Sequence, residues 1–340
     1  LKASTRSRKP GPDVSIRLGI LGIGSMGRHH VRNARATAGV DLVALADPGG
    51  DRFGVAGDLP VLGGVEELIE AGIDAAIVAA PTAHHEAAAL ALAEAGVHTL
   101  VEKPLATSVE AGRRIRDAFA SAGLVGAVGY VERCNPALID MRRRIAQGQL
   151  GDIEQIATRR QSPFPARISD VGVVKDLATH DVDLAAWVAG APYESIYART
   201  SARSGRPHED MMVASGVLAD GILVNHLVNW LTPYKDRTTI VTGERGALVA
   251  DTAMGDLTFY ENGHAPLQWD AIAAFRGVSE GQVVRYALTK REPLALEHER
   301  FRDAILGVGS EHVTMDEALD NLRVVEAILA SAATGRSVDL

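Results

Sequence analysis

Two short segments of the sequence carry side chains that could move protons. The first runs from Glu102 to Pro104, where Lys103 supplies an amine beside a proline that restricts the backbone. The second places Asp176 four residues before His180, so that a carboxylate and an imidazole would share one helical face. Histidine is the side chain best matched to proton transfer near neutral pH, and a carboxylate can orient it. Taken alone, the first segment is more typical of a solvated loop, and the second is more typical of an ion pair on a surface helix.

Metal chemistry is the alternative for the second segment, because Asp183 lies three residues beyond His180 on the same side. The sequence offers no third strong ligand nearby, so we predict no metal site. The chain has one cysteine, Cys134, which excludes an intramolecular disulfide and a multi-cysteine zinc site.

A glycine-rich motif follows a predicted strand and opens a predicted helix. It reads Gly22-Ile23-Gly24-Ser25-Met26-Gly27. Gly22 would allow a tight turn, Gly24 would let the backbone approach a pyrophosphate, and Gly27 would permit close packing of helix on strand. The pyrophosphate would bind the amides at the helix N-terminus, where we place Ser25 and Met26.

Asp47 strengthens this interpretation, since it ends the second predicted strand twenty residues after Gly27. A carboxylate at that position accepts hydrogen bonds from ribose hydroxyls and repels a 2′-phosphate. The motif therefore predicts a dinucleotide site that favours NAD, and Arg52 nearby keeps NADP as an alternative. The competing interpretation is a plain glycine turn with Asp47 capping a loop.

The elements that must position these residues fall into two parts. From Ser15 onward, short apolar runs alternate with helical segments, which is typical of βαβ units and a doubly wound parallel sheet. The predicted strands are 16–21, 40–46, 75–79, 98–101 and 125–131, and the predicted helices are 26–38, 65–70, 85–95 and 108–122. Lys103 would then lie at the carboxyl edge of the sheet, where such folds bind ligands.

After residue 131 the pattern changes to strand-like runs joined by Gly, Pro and Asp turns. The predicted strands are 153–159, 195–199, 211–218, 222–230, 238–242 and 247–249, with helices at 138–147, 297–306 and 315–331. Asp220-Gly221 is typical of a tight hairpin. We predict an α/β protein: a Rossmann domain followed by an α+β domain with a large, mostly antiparallel open sheet.

The predicted domains are a disordered extension at 1–14, an NAD-binding domain at 15–131 and a substrate-binding and oligomerisation domain at 132–340, whose last helices could pack back on the NAD-binding domain. Acidic and basic residues are interleaved along a chain of net charge −8, which argues against a nucleic-acid partner. Apolar runs are too short to span a membrane, and residues 1–14 lack the apolar core of a secretory signal. We therefore expect a cytoplasmic protein with no membrane partner.

Together these motifs resemble the Gfo/Idh/MocA family of dehydrogenases over nearly the whole chain after residue 15. They are the glycine loop with Asp47, Pro81-Thr82 with His85, Glu102-Lys103-Pro104, and Asp176 with His180. The resemblance implies that the NAD site also includes Pro81, Thr82, His85 and Glu102. It further implies that Lys103, Asp176 and His180 line the catalytic site, and that the C-terminal sheet forms a homodimer or homotetramer.

Two stretches resemble the UDP-N-acetylglucosamine 3-dehydrogenases within that family. One runs from Gly129 to Pro136 and departs from the group's pattern at Tyr130 and Cys134; the other runs from Arg160 to Val173. On this basis the substrate-binding residues would be Tyr130, Arg133, Asn135, Arg160, Arg167 and Asp183. The arginines suit a diphosphate, and their alternative is a purely structural role at strand edges.

The sequence thus predicts an NAD-dependent dehydrogenase that oxidises a secondary hydroxyl of a sugar, at the 3-position of a UDP-sugar such as UDP-N-acetylglucosamine. His180 would be the general base or a proton relay, Asp176 its orienter or a substrate ligand, and Lys103 a hydrogen-bond donor to the reacting oxygen. Alternatives are a free-sugar or inositol dehydrogenase, a sugar-6-phosphate dehydrogenase, a non-catalytic NAD-binding sensor, and an enzyme that cycles a tightly bound cofactor during hydrolysis or epimerisation.

Overall fold

A computed structural model of the chain describes residues 15–165, 171–263 and 280–340. The predicted extension at 1–14 and the predicted substrate residue Arg167 lie outside the described residues. The chain divides into two compact units. Unit 1 holds the residues up to Gly129 together with Leu294–Leu319, and unit 2 holds Tyr130–Pro293 together with Asp320–Leu340.

Unit 1 is built on a six-stranded parallel sheet. Its strands are β1 (Ile16–Leu21), β2 (Val40–Ala46), β3 (Val61–Leu62), β4 (Ala75–Val78), β5 (His98–Glu102) and β6 (Gly126–Gly129). Its helices are α1 (Gly27–Ala36), α2 (Val65–Glu70), α3 (His85–Glu94), α4 (Val109–Ala122) and, from the returning segment, α7 (Pro293–Leu306). The strand order β3-β2-β1-β4-β5-β6 confirms the predicted doubly wound fold.

The order of the strands reverses between β1 and β4, and ligands of such sheets bind at that point. β1 and β4 are buried almost throughout, as expected for parallel strands covered on both faces. Helix α4 has clear end signals: the Ser108 hydroxyl accepts the Ala111 N–H, and Gly123 ends the helix in the left-handed region. Phe301 of α7 joins the apolar core of the unit.

Unit 2 contains a nine-stranded sheet covered by helices. Its strands are β7 (Ile153–Pro163), β8 (Tyr193–Ser201), β9 (Met211–Leu218), β10 (Leu223–Asn229), β11 (Leu231–Gly243), β12 (Gly246–Asp251), β13 (Asp256–Asn262), β14 (Glu280–Tyr286) and β15 (Val338–Asp339). Its helices are α5 (Pro136–Ala146), α6 (Thr179–Ala189) and most of α8 (Met315–Thr334). The order is β14-β13-β12-β11-β7-β10-β9-β8-β15, antiparallel except for the β7–β10 pair.

The predicted hairpin between β9 and β10 is confirmed. Asp220 and Gly221 both have positive φ angles, 66° and 78°, as a tight antiparallel turn requires. One face of the sheet packs in a core with α5, α6 and α8. On the opposite face, one row of cross-strand neighbours includes three exposed apolar side chains, those of Leu223, Tyr260 and Val283. The predicted oligomerisation through this sheet stays a prediction.

Candidate active site

The glycine loop after β1 has the three properties that its sequence predicts. Gly22 has a φ of 87°, and a Cβ atom there would lie 2.7 Å from the backbone of Ala79 and Ala80. A Cβ atom on Gly27 would overlap the carbonyl oxygen of Gly22, so only glycine lets α1 approach the strand end this closely. At Gly24 no described heavy atom lies within 4 Å of the Cβ position. The backbone at Gly24 is therefore open to a ligand.

A cavity of about 500 Å³ lies in front of this loop, entirely within unit 1. Of the predicted cofactor residues, the structure brings four together at its wall: Gly22, Gly24, Asp47 and Pro81. Ser25, Met26 and Gly27 continue the loop into α1, and Thr82 begins the short 3₁₀ turn Thr82–His84. Arg52, which the sequence analysis related to the choice between NAD and NADP, also lines the wall, together with residues that it did not assign to the cofactor, among them Gly49 and His84. Their nearness in sequence to Asp47 and Pro81 was the available signal.

Asp47 joins the glycine loop to the end of β2. Its Oδ2 accepts the N–H of Ile23 at 2.9 Å, and its Oδ1 accepts the N–H of Gly49 at 2.7 Å. Each carboxylate oxygen keeps further acceptor capacity for a ribose hydroxyl. Open backbone amides at Gly24 and a fixed carboxylate at Asp47 are the donor and acceptor set that an NAD pyrophosphate and ribose require.

Lys103 follows β5, and its peptide bond to Pro104 is cis. The neighbouring Glu102 points into unit 1: its Oε1 lies 2.9 Å from Nε2 of His30, and its Oε2 accepts the N–H of Lys103 at 3.1 Å. Burial alone would raise the pKa of Glu102, but the hydrogen bond and charge of His30, with Lys103, outweigh it and lower this pKa. Glu102 is therefore a buried carboxylate directly behind the lysine.

His85 is also buried, although its sequence motif suggested a cofactor contact. Its Nδ1 lies 2.9 Å from the carbonyl oxygen of Pro104, and its Nε2 lies 2.9 Å from that of Ala80. Burial lowers the pKa of His85, although both carbonyls oppose that shift. The ring thus ties the loop after β4 to the loop that carries Lys103.

In unit 2, Asp176 and His180 lie on consecutive helical turns of different type. Asp176 belongs to a π-helical turn, Val174–Ala178, and His180 belongs to the start of α6. Because π-turns often occur at functional sites, this departure from the predicted regular helix is informative. Both side chains are more than nine-tenths buried.

Tyr130, predicted to bind substrate, packs against this segment. Its ring stands nearly perpendicular to that of His180, with 6.2 Å between the centroids. Its hydroxyl lies 3.1 Å from Oγ1 of Thr179, which donates to Asn321. The tyrosine therefore helps to fix the helix turn that carries His180.

The predicted substrate arginines have carboxylate partners within unit 2. Arg133 donates two hydrogen bonds to Asp183, of 2.8 and 2.6 Å. Arg160 donates to Glu132 at 2.7 Å and to Asp181 at 3.0 Å. These contacts match the structural alternative given above, because the charge of each guanidinium is balanced by the protein itself.

Asn135 likewise has protein partners. Its Oδ1 accepts the N–H of Ala137 and caps α5, and its Nδ2 donates to the carbonyl oxygen of Thr252 at 2.9 Å. The amide therefore joins the start of α5 to the turn after β12.

Arg237, which the sequence reasoning did not single out, lies beside Arg160, Glu132 and Asp181. We call these four residues the charge cluster. It pairs with Arg160 in the β7–β11 register and donates to Glu132 at 3.3 Å. Burial lowers the pKa of Arg237, with Arg160 adding to the effect. Burial also raises the pKa of Asp181 to about 6, against the opposing charge of Arg160. No sequence signal pointed to Arg237, because only the strand register places it there.

The described residues contain neither a group of metal ligands nor a membrane-spanning helix. Within 15–165, 171–263 and 280–340, no three His, Cys, Asp or Glu side chains are grouped so that they could hold a metal ion. None of the helices in those ranges is long and apolar enough to cross a membrane.

Comparison with known proteins assigns both parts of the chain. Residues 16–130 match the family model described as an oxidoreductase family with an NAD-binding Rossmann fold, and residues 138–249 match the GFO/IDH/MocA C-terminal domain. The chain is 30% identical over 253 residues to inositol 2-dehydrogenase 2 of Saccharopolyspora erythraea, covering 69% of this chain and 73% of that one.

Relatives with solved structures agree with this assignment. UDP-N-acetylglucosamine 3-dehydrogenase of Acidithiobacillus ferrooxidans is 28% identical, with 86% of this chain and 89% of that one covered. Its structure aligns with a TM-score of 0.84 and 25% identity over 94% of this chain and 98% of that one. GenD2 from gentamicin A biosynthesis, solved with NAD, gives a TM-score of 0.81 at 25% identity, covering 98% and 99%. The chain belongs to the Gfo/Idh/MocA family of NAD-binding oxidoreductases, which act on CH–OH groups.

Proposed function

We propose that the protein oxidises the 3-hydroxyl of a UDP-linked sugar, such as UDP-N-acetylglucosamine, with NAD. The proposal rests on how much of the chain each sequence match covers. The match to the UDP-N-acetylglucosamine 3-dehydrogenase covers 86% of the chain, whereas the match to inositol 2-dehydrogenase 2 covers 69%. The longer match supports a shared substrate as well as a shared cofactor.

Three residues perform the proton chemistry in this proposal. His180 removes the proton of the sugar hydroxyl, Asp176 orients the imidazole, and Lys103 donates a hydrogen bond to the reacting oxygen. Bound NAD supplies the hydride acceptor. Loss of hydride from a neutral alcohol would leave positive charge on oxygen, so the hydroxyl proton must depart as well. General catalysis of this kind contributes about 100-fold to 10,000-fold in rate.

The predicted substrate residues Tyr130, Arg133 and Asp183 lie in the same unit as His180. Tyr130 packs on His180, and the pair of Arg133 with Asp183 is buried in the same unit. We infer that these side chains shape the substrate site. Asp47 sets the preference for NAD over NADP through its fixed carboxylate.

A polyol without phosphate is the second candidate substrate. It is favoured by the ion pairs of Arg133 and Arg160, whose charges are already balanced by Asp183, Glu132 and Asp181. It also agrees with the 30% identity to an inositol 2-dehydrogenase. In this case the same three residues act on a ring hydroxyl of inositol or of a free sugar.

A substrate panel tests the proposal. The purified chain is mixed with NAD and, separately, UDP-N-acetylglucosamine, N-acetylglucosamine, its 6-phosphate, myo-inositol and scyllo-inositol, and formation of reduced nicotinamide is followed by absorbance. We expect the highest kcat/KM with the UDP-sugar. Higher kcat/KM with an inositol selects the second candidate, and NAD binding without turnover on any compound indicates a sensor.

Variants then test the assigned residues. Lys103→Ala and His180→Ala should each lower kcat by at least about 100-fold while NAD binding persists. Lys235→Ala, which removes an exposed lysine of β11, serves as the control and should keep the unaltered rate. Near-normal turnover in both active-site variants would refute the assigned chemistry.

A further inference from the structure

Four titratable side chains are buried together in unit 1 behind Lys103. We call them the inner cluster; its members are His30 of α1, Glu102 of β5, and Glu297 and His298 of α7. Each is more than nine-tenths buried. The proposed chemistry of Lys103, Asp176 and His180 uses none of the four, so their burial needs another explanation.

Hydrogen bonds connect three members of the inner cluster in a line that ends at Lys103. The imidazoles of His30 and His298 stack with 5.2 Å between centroids, and Nδ1 of His30 lies 2.9 Å from Nε2 of His298. On its other side, His30 contacts Glu102 at 2.9 Å, and Glu102 accepts the main-chain N–H of Lys103. The line therefore runs from α7 through α1 to the lysine.

The charges of the inner cluster follow from its burial. Burial lowers the pKa of His298 to about 3, with His30 adding to the effect, so this ring is neutral. Burial and the charge of Glu102 raise the pKa of Glu297 well above its ordinary value, against the opposing charge of Arg300. These opposite shifts favour placing the negative charge of the two acids on Glu102, beside Lys103.

An ionised Glu102 dictates where the protons lie. Nε2 of His30 must carry a proton to hydrogen-bond a carboxylate, and one further proton lies between His30 and His298. Gly129 makes room for the side chain of Glu102, because a Cβ atom there would come within 3.2 Å of its carboxyl carbon. The carboxylate is held by His30 on one side and by the main-chain N–H of Lys103 on the other.

We propose that His30 and His298 are positioning residues for Lys103, which they fix by holding the carboxylate of Glu102 against its main-chain N–H and beside its amine. This inference rests on the proposed role of Lys103 in the reaction. His85 holds the other side of the lysine through the carbonyl oxygen of Pro104, so the histidine pair supplies the second of two anchors.

Paired substitutions at His298 test this role. His298→Leu removes the hydrogen bond to His30, whereas His298→Gln keeps an N–H donor at the same reach. With NAD and the best substrate of the panel, we expect His298→Leu to lower kcat about 10-fold to 100-fold, since small misplacements of catalytic groups cost this much. KM and the Kd for NAD should stay within about two-fold, and His298→Gln should recover most of kcat.

The split between kcat and cofactor binding gives a readout that a merely structural role would not move. At a folded fraction equal to that of the unaltered chain, a misplaced Lys103 lowers kcat alone, whereas a destabilised unit 1 would also lose affinity for NAD. His98→Leu is the matched control, because His98 lies at the opposite end of β5 and accepts the N–H of Val125 at 2.9 Å. It should show no loss of kcat.

Several results would overturn the proposal. One is an unchanged kcat in a folded His298→Leu variant while Lys103→Ala is inactive; this result leaves the proposed function intact. Another is an equal loss of kcat in His298→Leu, His298→Gln and His98→Leu. If Lys103→Ala keeps its activity, the proposed function fails first, and this inference fails with it.

A measurement on the unaltered protein covers the case in which His298→Leu does not fold or no compound of the panel is turned over. ¹⁵N-histidine NMR at pH 7 should show His30 protonated at Nε2 and His298 as a neutral imidazole. A charged His298, or a His30 without a proton on Nε2, would contradict the hydrogen-bonded line.

Discussion

Replacing His226 by glutamine should make unit 2 more resistant to acid. His226 of β10 is buried, with its Nδ1 2.7 Å from Oγ1 of Thr158 and its Nε2 2.9 Å from the hydroxyl of Tyr193. Burial lowers its pKa from 6.5 to about 4. Glutamine keeps a hydrogen-bonding side chain at this position and does not titrate.

The magnitude follows from the two pKa values. The unfolded chain binds a proton at His226 near pH 6.5, while the folded chain resists it until about pH 4. The contribution of neutral His226 to the free energy of unfolding is therefore fully present above pH 6.5, and it is lost as the pH falls from 6.5 to about 4. At about 1.36 kcal/mol per pH unit, the full loss in free energy of unfolding is about 3 kcal/mol, of which about 2 kcal/mol is lost by pH 5.

Urea unfolding at pH 7.5, 6 and 5 measures this effect. Trp187 and Trp230 lie in unit 2, so tryptophan fluorescence reports its unfolding. Between pH 7.5 and 5, His226→Gln should lose about 2 kcal/mol less than the unaltered chain. The matched control is His208→Gln, which removes a partly buried histidine of the same unit. Identical pH dependence in the unaltered chain and His226→Gln would refute the argument.

Two further outcomes are expected in unit 1. Burial, with the charge of Glu102, raises the pKa of Glu297 above 4.5, so this acid costs stability as the pH rises beyond that value. The melting temperature of Glu297→Gln relative to the unaltered chain should therefore increase from pH 4.5 to 8, and calorimetry showing parallel curves would contradict this. Asp47→Ala should weaken NAD binding about 10-fold in a fluorescence titration, and it should reduce the ratio of the affinity for NAD to the affinity for NADP. An unchanged ratio would exclude Asp47 as the cause of the cofactor preference.

The sequence predicted the elements of unit 1 well where apolar runs mark buried strands and where glycines mark the loop after β1. β1 and β2 have the predicted bounds, because both strands are nearly continuous apolar runs flanked by turn residues. The two-residue strand β3 was missed, since Val61–Leu62 is too short to show any period. The doubly wound order and the glycine loop followed from the same patterns.

Unit 2 was harder to predict because its strands depend on pairing. β11 runs from Leu231, whereas the predicted strand began at 238; the intervening residues are polar and pair irregularly with β7. The charge cluster shows the same limit. Arg160 and Arg237 are adjacent only through the β7–β11 register, which apolar periodicity does not reveal.

The inner cluster shows why the surroundings of a predicted site residue escape sequence reasoning. The motif around Lys103 was evident, but His30 and His298 are 268 positions apart. Neither histidine lies in a motif that indicates the other, so only the folded chain brings them together.

Because residues 294–319 belong to unit 1, this unit cannot complete its fold early in synthesis. Phe301 completes the apolar core around β1 and β2, and Thr314 bridges to Ala127 of β6. Both arrive after the whole of Tyr130–Pro293 has been synthesised. Part of the interior of unit 1 therefore stays uncovered during synthesis until Tyr130–Pro293 has emerged. The unit whose synthesis begins first cannot complete its core before that point.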